Sequence, residues 1–248
     1  MIAKRLLILA DTHIRDDDST NPILHVIEKF IPRFNPDILV YLGDTQDCEA
    51  LQGFNHKSPS LIQWSSIHAE ISNVNKMLNR HESLCNPQEK HYWLGNHEER
   101  LNKFKAIYSP MAKLVPDLTK ELKLKERRFS VHKQNDLVNF GKLYAMHGNA
   151  YGINHVKKNL LDYEVSLVYG HVHSPQMYTK VASSTRSPKS AWSIGCASGR
   201  NPEWLHGKPN AWVPGFAVAY ILPNGNFNLY PINIIHGSFL GPDGRVYN

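Results

Sequence analysis

Five short apolar runs in this chain each end on residues able to ligate a metal, and this coincidence limits the fold more than any other feature. Residues 6–10 (LLILA) lead into Asp11-Thr12-His13, and residues 38–42 (ILVYL) into Gly43-Asp44-Thr45-Gln46-Asp47. Residues 91–94 (HYWL) lead into Gly95-Asn96-His97-Glu98, residues 143–146 into His147-Gly148, and residues 167–169 into Gly170-His171-Val172-His173. Brief, wholly apolar runs of this kind are the pattern of central strands buried on both faces. In parallel α/β sheets, ligands collect in the crevice at the carboxyl ends of such strands. The sequence therefore predicts one crevice to which five strands deliver Asp, Asn or His, with glycines beside them to let the backbone turn tightly.

The segments between the runs supply the rest of an α/β fold. Asn21-Pro22 opens a helix to about Phe34 with an apolar stripe at Ile23, Val26, Ile27 and Phe30, and Asn35-Pro36 ends it. Apolar residues at Leu61, Trp64, Ile67, Ile71, Val74 and Leu78 recur at steps of three and four, which predicts an amphipathic helix over residues 60–80. Helical segments are expected at 98–107, 113–125 and 154–161. Strands are expected at 129–131, 141–146, 165–169, 191–194, 216–222 and 227–234, the last two joined by a hairpin at Asn224-Gly225. Residues 183–190 read as loop and the last eight or so as a loosely held tail. Strand–helix–strand at the start argues for parallel α/β units, and no linker divides the chain, so residues 1–248 are expected to form a single domain.

Composition excludes several classes. No stretch reaches the apolar length of a membrane span. The N-terminal apolar run is short and leads straight into Asp11 and His13, so it reads as a first strand and not as a signal peptide. Cys48, Cys85 and Cys196 have neither disulfide-framework nor C-x-x-C spacing, which fits a reducing, cytoplasmic location. The formal charge of +6 is compatible with phosphate-bearing partners, nucleic acid included. A surplus this small is also what solvated basic faces around 120–128 and 180–189 would give.

Each motif alone is weak, and a lone histidine after a strand is more often a hydrogen-bonded core or surface residue. The joint occurrence counts. The remaining histidines, 25, 56, 68, 81, 91, 132, 155, 206 and 236, lack such placement and are read as structural. The ordered set D-x-H, G-D-x-x-D, G-N-H-E, H-G and G-H-x-H, spanning residues 11–173, resembles the calcineurin-like metallophosphoesterase superfamily. Within it, the chain is similar to small bacterial and phage-type members distantly related to the SbcD nucleases. The Ser/Thr phosphatases of the superfamily carry Arg just after G-D-x-x-D; here Cys48 stands in that place.

The resemblance implies an α/β fold, a four-layer α/β/β/α sandwich of two mixed sheets flanked by helices. It implies two divalent metal ions, one held by Asp11, His13, Asp44 and His173, the other by Asp44, Asn96, His147 and His171, with Asp44 as the bridge. The oxygen and imidazole donors suit Mn foremost, with Fe, Zn or Ni as alternatives. Two such cations generate a bridging hydroxide at neutral pH and neutralise charge on the phosphoryl group it attacks. His97, beside a ligand but not itself one, is the candidate general acid, and Asp47 its orienting carboxylate. Arg100, Asn149 and Tyr151 are candidate substrate contacts, each set against a bland surface role. Glu98 and Glu99 are accounted for by the favourable field at a helix start. Trp192, Trp204, Trp212 and Phe216 read mainly as packing, with room for one or two to stack on a base. Three functions remain open: a phosphodiesterase or nuclease, a phosphomonoesterase, and an inactive metal-binding scaffold. Residues 48–60 or 108–135 are the candidate cap over the cleft, with the insertion placed within 108–135. Oligomeric state is left open.

Overall fold

The computed structural model describes residues 3–17, 21–52, 63–181, 187–199 and 208–248. Strand alternation sets its layers. In β1 (Lys4–Leu9), Leu7 and Leu9 face one way, into a core shared with helices, while Leu6 and Ile8 face the other way, into a core shared with a second sheet. β2 (Ile38–Tyr41) and β3 (Glu89–Trp93) repeat this: Leu39, Tyr41 and Tyr92 join the helical side, and Ile38, Val40 and Trp93 the inter-sheet side. Strands buried on both faces cannot alternate apolar with polar residues, which is why the runs are continuous.

The first sheet also contains β4 (Ser130–His132), β10 (Gly215–Ile221) and β11 (Phe227–Asn233), in the order β11-β10-β1-β2-β3-β4. β1 through β4 are mutually parallel, and β10 and β11 add antiparallel at the β1 edge. The second sheet comprises β5 (Val138–Phe140), β6 (Leu143–Met146), β7 (Ser166–Tyr169), β8 (Gln176–Val181) and β9 (Pro188–Ser193), ordered β5-β6-β7-β9-β8, with β6, β7 and β9 parallel. Phe140, Leu143, Ala145, Val168 and Ile194 pack it against the first sheet.

Helices cover the outer faces. α1 (Pro22–Phe34) and α2 (Trp64–Leu84) lie on the first sheet. Asn21 caps α1, its side chain accepting from the N–H groups of Ile23 and Leu24, and Asn35 ends it in the left-handed region at φ 45°. α3 (Glu99–Ile107) and the short α4 (Leu118–Glu121) follow, and α5 (His155–Tyr163) covers the second sheet through Val156 and Leu160. The result is the expected α/β/β/α sandwich.

Some details differ from the sequence reading. The helix expected over 113–125 is reduced to a 3-10 turn (Ser109–Leu114) and α4, because Pro116 disfavours helical backbone at Val115 and Asp117 starts a new cap. The C-terminal residues are not loosely held. β12 (Phe239–Leu240) and β13 (Val246–Tyr247) pair, and the rings of Phe239 and Tyr247 pack 5.7 and 5.2 Å from Phe30 of α1. Strands β5 and β8 were not anticipated; both are sheet edges whose sequences lack a continuous apolar run. Of the expected loop 183–190, residues 188–190 lie in β9 and 183–186 lie outside the described residues. Phe216 is buried in the core, Trp192 is partly buried against the inter-sheet core, and Trp204 is outside the described residues.

Candidate metal centre

The parallel strands β1, β2 and β3 of one sheet and β6 and β7 of the other all end at the same edge of the sandwich. There the backbone takes unusual forms. Asp11 (φ 54°), His13 (φ 44°), Asp44 (φ 48°), His171 (φ 71°) and His173 (φ 60°) are all left-handed. This conformation is uncommon for residues with a side chain and costs on the order of 1 kcal/mol or more each. The surrounding hydrogen bonds enforce it: Asp11 N–H donates to Gly43 O (3.0 Å), His13 N–H to Asp44 O (3.0 Å) and Ile14 N–H to Thr45 O (2.8 Å), locking the first two strand-end loops together. A Cβ on Gly95 would lie 2.2 Å from Asp44 Oδ1, and one on Gly170 would lie 2.5 Å from Asp11 Oδ2. These glycines leave room for the two carboxylates.

The side chains converge. Ligand atoms of Asp11, His13 and His173 all lie within 4.8 Å of one another, as do those of Asp44, His147 and His171. His173 Nε2 is 3.0 Å from His13 Nε2 and 3.4 Å from Asp11 Oδ1, and His147 Nε2 is 3.4 Å from Asp44 Oδ2 and 3.0 Å from Asn96 Oδ1. His147 Nδ1 donates to Leu42 O (2.8 Å) and His13 Nδ1 to Asp47 Oδ1 (3.1 Å), so each presents the Nε2 lone pair to the centre. Among the described residues, both ring nitrogens of buried His171, and Nδ1 of His173, have no hydrogen-bond partner.

Asp11 and Asp44 are buried, and the ion-pair partners of their carboxylates here are imidazoles. Burial alone would raise their pKa values, yet His173 holds Asp11 below the usual carboxylate range and His147 holds Asp44 well below it. Conversely, burial opposes charge on His147, but Asp44 and Asp11 push its imidazole up to about 9. A potential this negative in a dry site favours a cation. These residues could hold divalent metal.

A second ring of contacts supports the first. Asp47 Oδ1 meets His97 Nδ1 (3.0 Å) as well as His13 Nδ1. Burial opposes its charge, but both histidine hydrogen bonds hold the Asp47 carboxyl well below the usual range. His97 is raised: burial lowers it, but Asp44 and Asp47 outweigh burial and the Arg100 guanidinium. His97 also lies in a ligand-sized group with His13 and Asp44. Its Nε2, however, faces Arg100 Nη2 at 3.0 Å, a cation where a metal would have to approach.

Arg100 itself is turned to the protein, its Nη1 donating to the Asp47 (2.9 Å) and Cys48 (3.3 Å) carbonyls. Tyr151 sits beside the centre, its ring centroid 4.5 Å from that of His171, and Asn149 is exposed. Glu98 was missed by sequence reasoning. Its buried carboxylate accepts from the backbone N–H groups of Asp44 (3.1 Å), Thr45 (2.7 Å), Gln46 (2.9 Å) and Gly95 (2.9 Å), clamping the Asp44 loop to the Asn96 loop. Burial and the Asp44 charge push it up to about 7, against those donors. Glu70 of α2 was missed too; it accepts from Gln46 Nε2 and Cys48 N–H, both at 2.9 Å. The only hint of either was the acidic residue in an otherwise apolar or motif-bearing stretch.

The other histidines are partnered or at the surface. His81 meets Tyr41 Oη (2.7 Å) and Glu28, His155 meets Tyr169 Oη (2.5 Å), and His91 and His132 meet each other (2.9 Å). His25, His68 and His236 are exposed, and His56 and His206 lie outside the described residues.

A family model for calcineurin-like phosphoesterases matches residues 4–175, a span that contains all five motifs and most of the chain. The chain belongs to the calcineurin-like phosphoesterase family. No curated protein sequence matches it. Among solved structures, it is similar to Vps29 from Chaetomium thermophilum (12% identity, TM-score 0.53, covering 100% of this chain and 94% of that one). It is likewise similar to a Vps29 single mutant from Entamoeba histolytica (14% identity, TM-score 0.50, 95% of each chain). At such identities the likeness concerns the fold. Membership in the phosphoesterase family accounts for the meeting of both sheets' strand ends at one set of Asp and His residues. Among the described residues, no helix is long and apolar enough to cross a membrane.

Proposed function

We propose that this protein is a dinuclear-metal-dependent phosphoester hydrolase, and that its substrate is a phosphodiester. The observation that carries the proposal is the pair of buried carboxylates, Asp11 and Asp44, set among His13, His147, His171 and His173, with all of these but His147 on backbone held in the left-handed region. Such strain and such buried charge are kept where function requires them. Asp11, His13, Asp44 and His173 would hold one ion and Asp44, Asn96, His147 and His171 the other; manganese suits the donors. When bound, the ions would supply Lewis-acid activation of water and of the phosphoryl group.

The chain's own residues would manage the protons and the orientation. Asp47 holds His97 through Nδ1, leaving Nε2 to hand a proton to the departing ester oxygen. Against burial, Asp44 and Asp47 favour the protonated ring; Arg100 Nη2, a donor 3.0 Å from Nε2, would have to turn aside for Nε2 to carry that proton. General acid help of this kind is worth about 10²–10⁴ in rate.

Two features favour a diester over a monoester. Cys48 occupies the place of a phosphate-clamping arginine. Arg100 is spent on the Asp47 and Cys48 carbonyls, and Arg15 pairs with Glu49. A doubly charged monoester would gain more from an arginine aimed at it than a singly charged diester would. The net charge of +6 suits a nucleotide or nucleic acid. The test is turnover of bis(p-nitrophenyl) phosphate beside p-nitrophenyl phosphate with Mn2+. Faster diester turnover supports the proposal. Faster monoester turnover makes the protein a phosphomonoesterase, and turnover of neither makes it a metal-binding scaffold.

A further inference from the structure

Two aromatic side chains, Tyr151 and Trp212, stand at the centre and belong to none of the core clusters formed by the described residues. Tyr151 is 70% exposed although its ring lies against that of His171, centroids 4.5 Å apart and planes tilted by 60°. Trp212 is partly exposed, its ring 4.2 Å from that of His173 at 74°. The position of Trp212 is fixed by backbone: its N–H donates to Asn210 Oδ1 (2.9 Å), and the next residue, Val213, donates its N–H to His173 O (2.9 Å). His171 groups with Asp44 and His147, and His173 groups with Asp11 and His13. The two rings therefore attend the two halves of the centre, one each.

A phosphodiester carries a substituent on each of two ester oxygens, and one ring stands beside each half of the centre to receive one. A large exposed ring beside a polar, charged centre gains little from its hydrophobic area alone. A planar face at that place suits stacking, which tolerates any base. We infer that Tyr151 and Trp212 are paired stacking platforms that select phosphodiesters bearing a planar ring on either side of phosphorus, the class of dinucleotides and single-stranded nucleic acid. This rests on the phosphoesterase reading above.

The test is binding by the full chain in Mn2+, measured by calorimetry with two diesters chosen to resist hydrolysis, dithymidine phosphorothioate and diethyl phosphorothioate. At about fivefold per stacked ring, the lower end of such contacts, the dinucleotide should bind roughly 25-fold tighter. The double variant Tyr151→Leu, Trp212→Leu should bring the ratio near one, and Tyr151→Phe with Trp212→Phe should keep most of it. Melting curves verify that each variant folds. Equal affinity for the two diesters, a ratio unmoved in the leucine variant, or binding of neither diester overturns the inference. Turnover of bis(p-nitrophenyl) phosphate is followed in parallel. Turnover without a ring-dependent ratio sinks the platforms and spares the hydrolase, whereas a ring-dependent ratio without turnover does the reverse.

Discussion

Replacing Glu98 with Gln tests whether the centre is held by a buried carboxylate clamp. Glu98 Oε1 accepts from the Thr45 and Gln46 N–H groups and Oε2 from those of Asp44 and Gly95. A glutamine can offer an oxygen to only one of these pairs; its amide nitrogen must then face the other pair, donor against donor. Two charge-assisted bonds, worth about 1.5–3 kcal/mol each, are lost, and two buried N–H groups are left unsatisfied. Part of this is offset because the charged carboxylate is itself costly to bury, as its shift up to about 7 shows. A net loss of roughly 3 kcal/mol is expected, or about 6–12 °C in melting temperature for a chain of this size. The assay is thermal unfolding at pH 7 followed by circular dichroism, with and without Mn2+, alongside a Mn2+ titration. Metal affinity should fall too, since the clamp positions Asp44. The neighbouring Glu99→Gln, whose carboxylate accepts an exposed bond from Asn102 Nδ2, should stay within about 0.5 kcal/mol of wild type. Melting within about 2 °C of wild type for Glu98→Gln, with unchanged metal affinity, would refute the clamp.

Two other expectations follow from the same geometry. His97→Gln should retain its metal but slow diester turnover by about 10²–10⁴, most for poor leaving groups; equal slowing across a series of leaving groups would remove His97 as the acid. Glu70, pushed by burial up to about 7 from an ordinary 4.5, contributes stability that is full below pH 4.5 and lost as pH rises through 7. Glu70→Gln keeps an oxygen for Gln46 and Cys48, so it should gain on wild type by roughly 2–3 kcal/mol between pH 5 and pH 8; parallel melting curves across that range would contradict the assignment.

Much of the centre was legible because it depends on chain order. Strands buried on both faces must be continuous apolar runs, so 6–10, 38–42 and 167–169 announced themselves, and what followed each run had to lie at the sheet edge. Glu98 was hidden for the opposite reason. At a helix start an acidic residue has a sufficient local explanation in the helix dipole, and only the fold brings the three N–H groups of the Asp44–Gln46 loop onto it, beside that of Gly95 in its own loop. The role of Asp47 was half visible: its contact with His97 follows from the family pattern, but its bond to His13 depends on how closely the first two strand-end loops run. Arg100 was a candidate substrate contact weighed against a solvated charge, and its Nη1 donates to the Asp47 and Cys48 carbonyls, contacts that have no signal in the sequence. The C-terminal residues gave too short a pattern to read, yet Phe239 and Tyr247 complete the aromatic packing around Phe30. Edge strands β5 and β8 escaped because half-exposed strands lack the signal that buried ones carry.

Asp44 is proposed to join two metal positions in a working hydrolase. Metal content by mass spectrometry, measured together with bis(p-nitrophenyl) phosphate turnover on wild type and Asp44→Asn loaded with Mn2+, tests it most directly. About two ions per wild-type chain with turnover are expected, and fewer ions with turnover abolished in the variant. Wild-type metal content in Asp44→Asn, or turnover that survives the loss of Asp44, would contradict it.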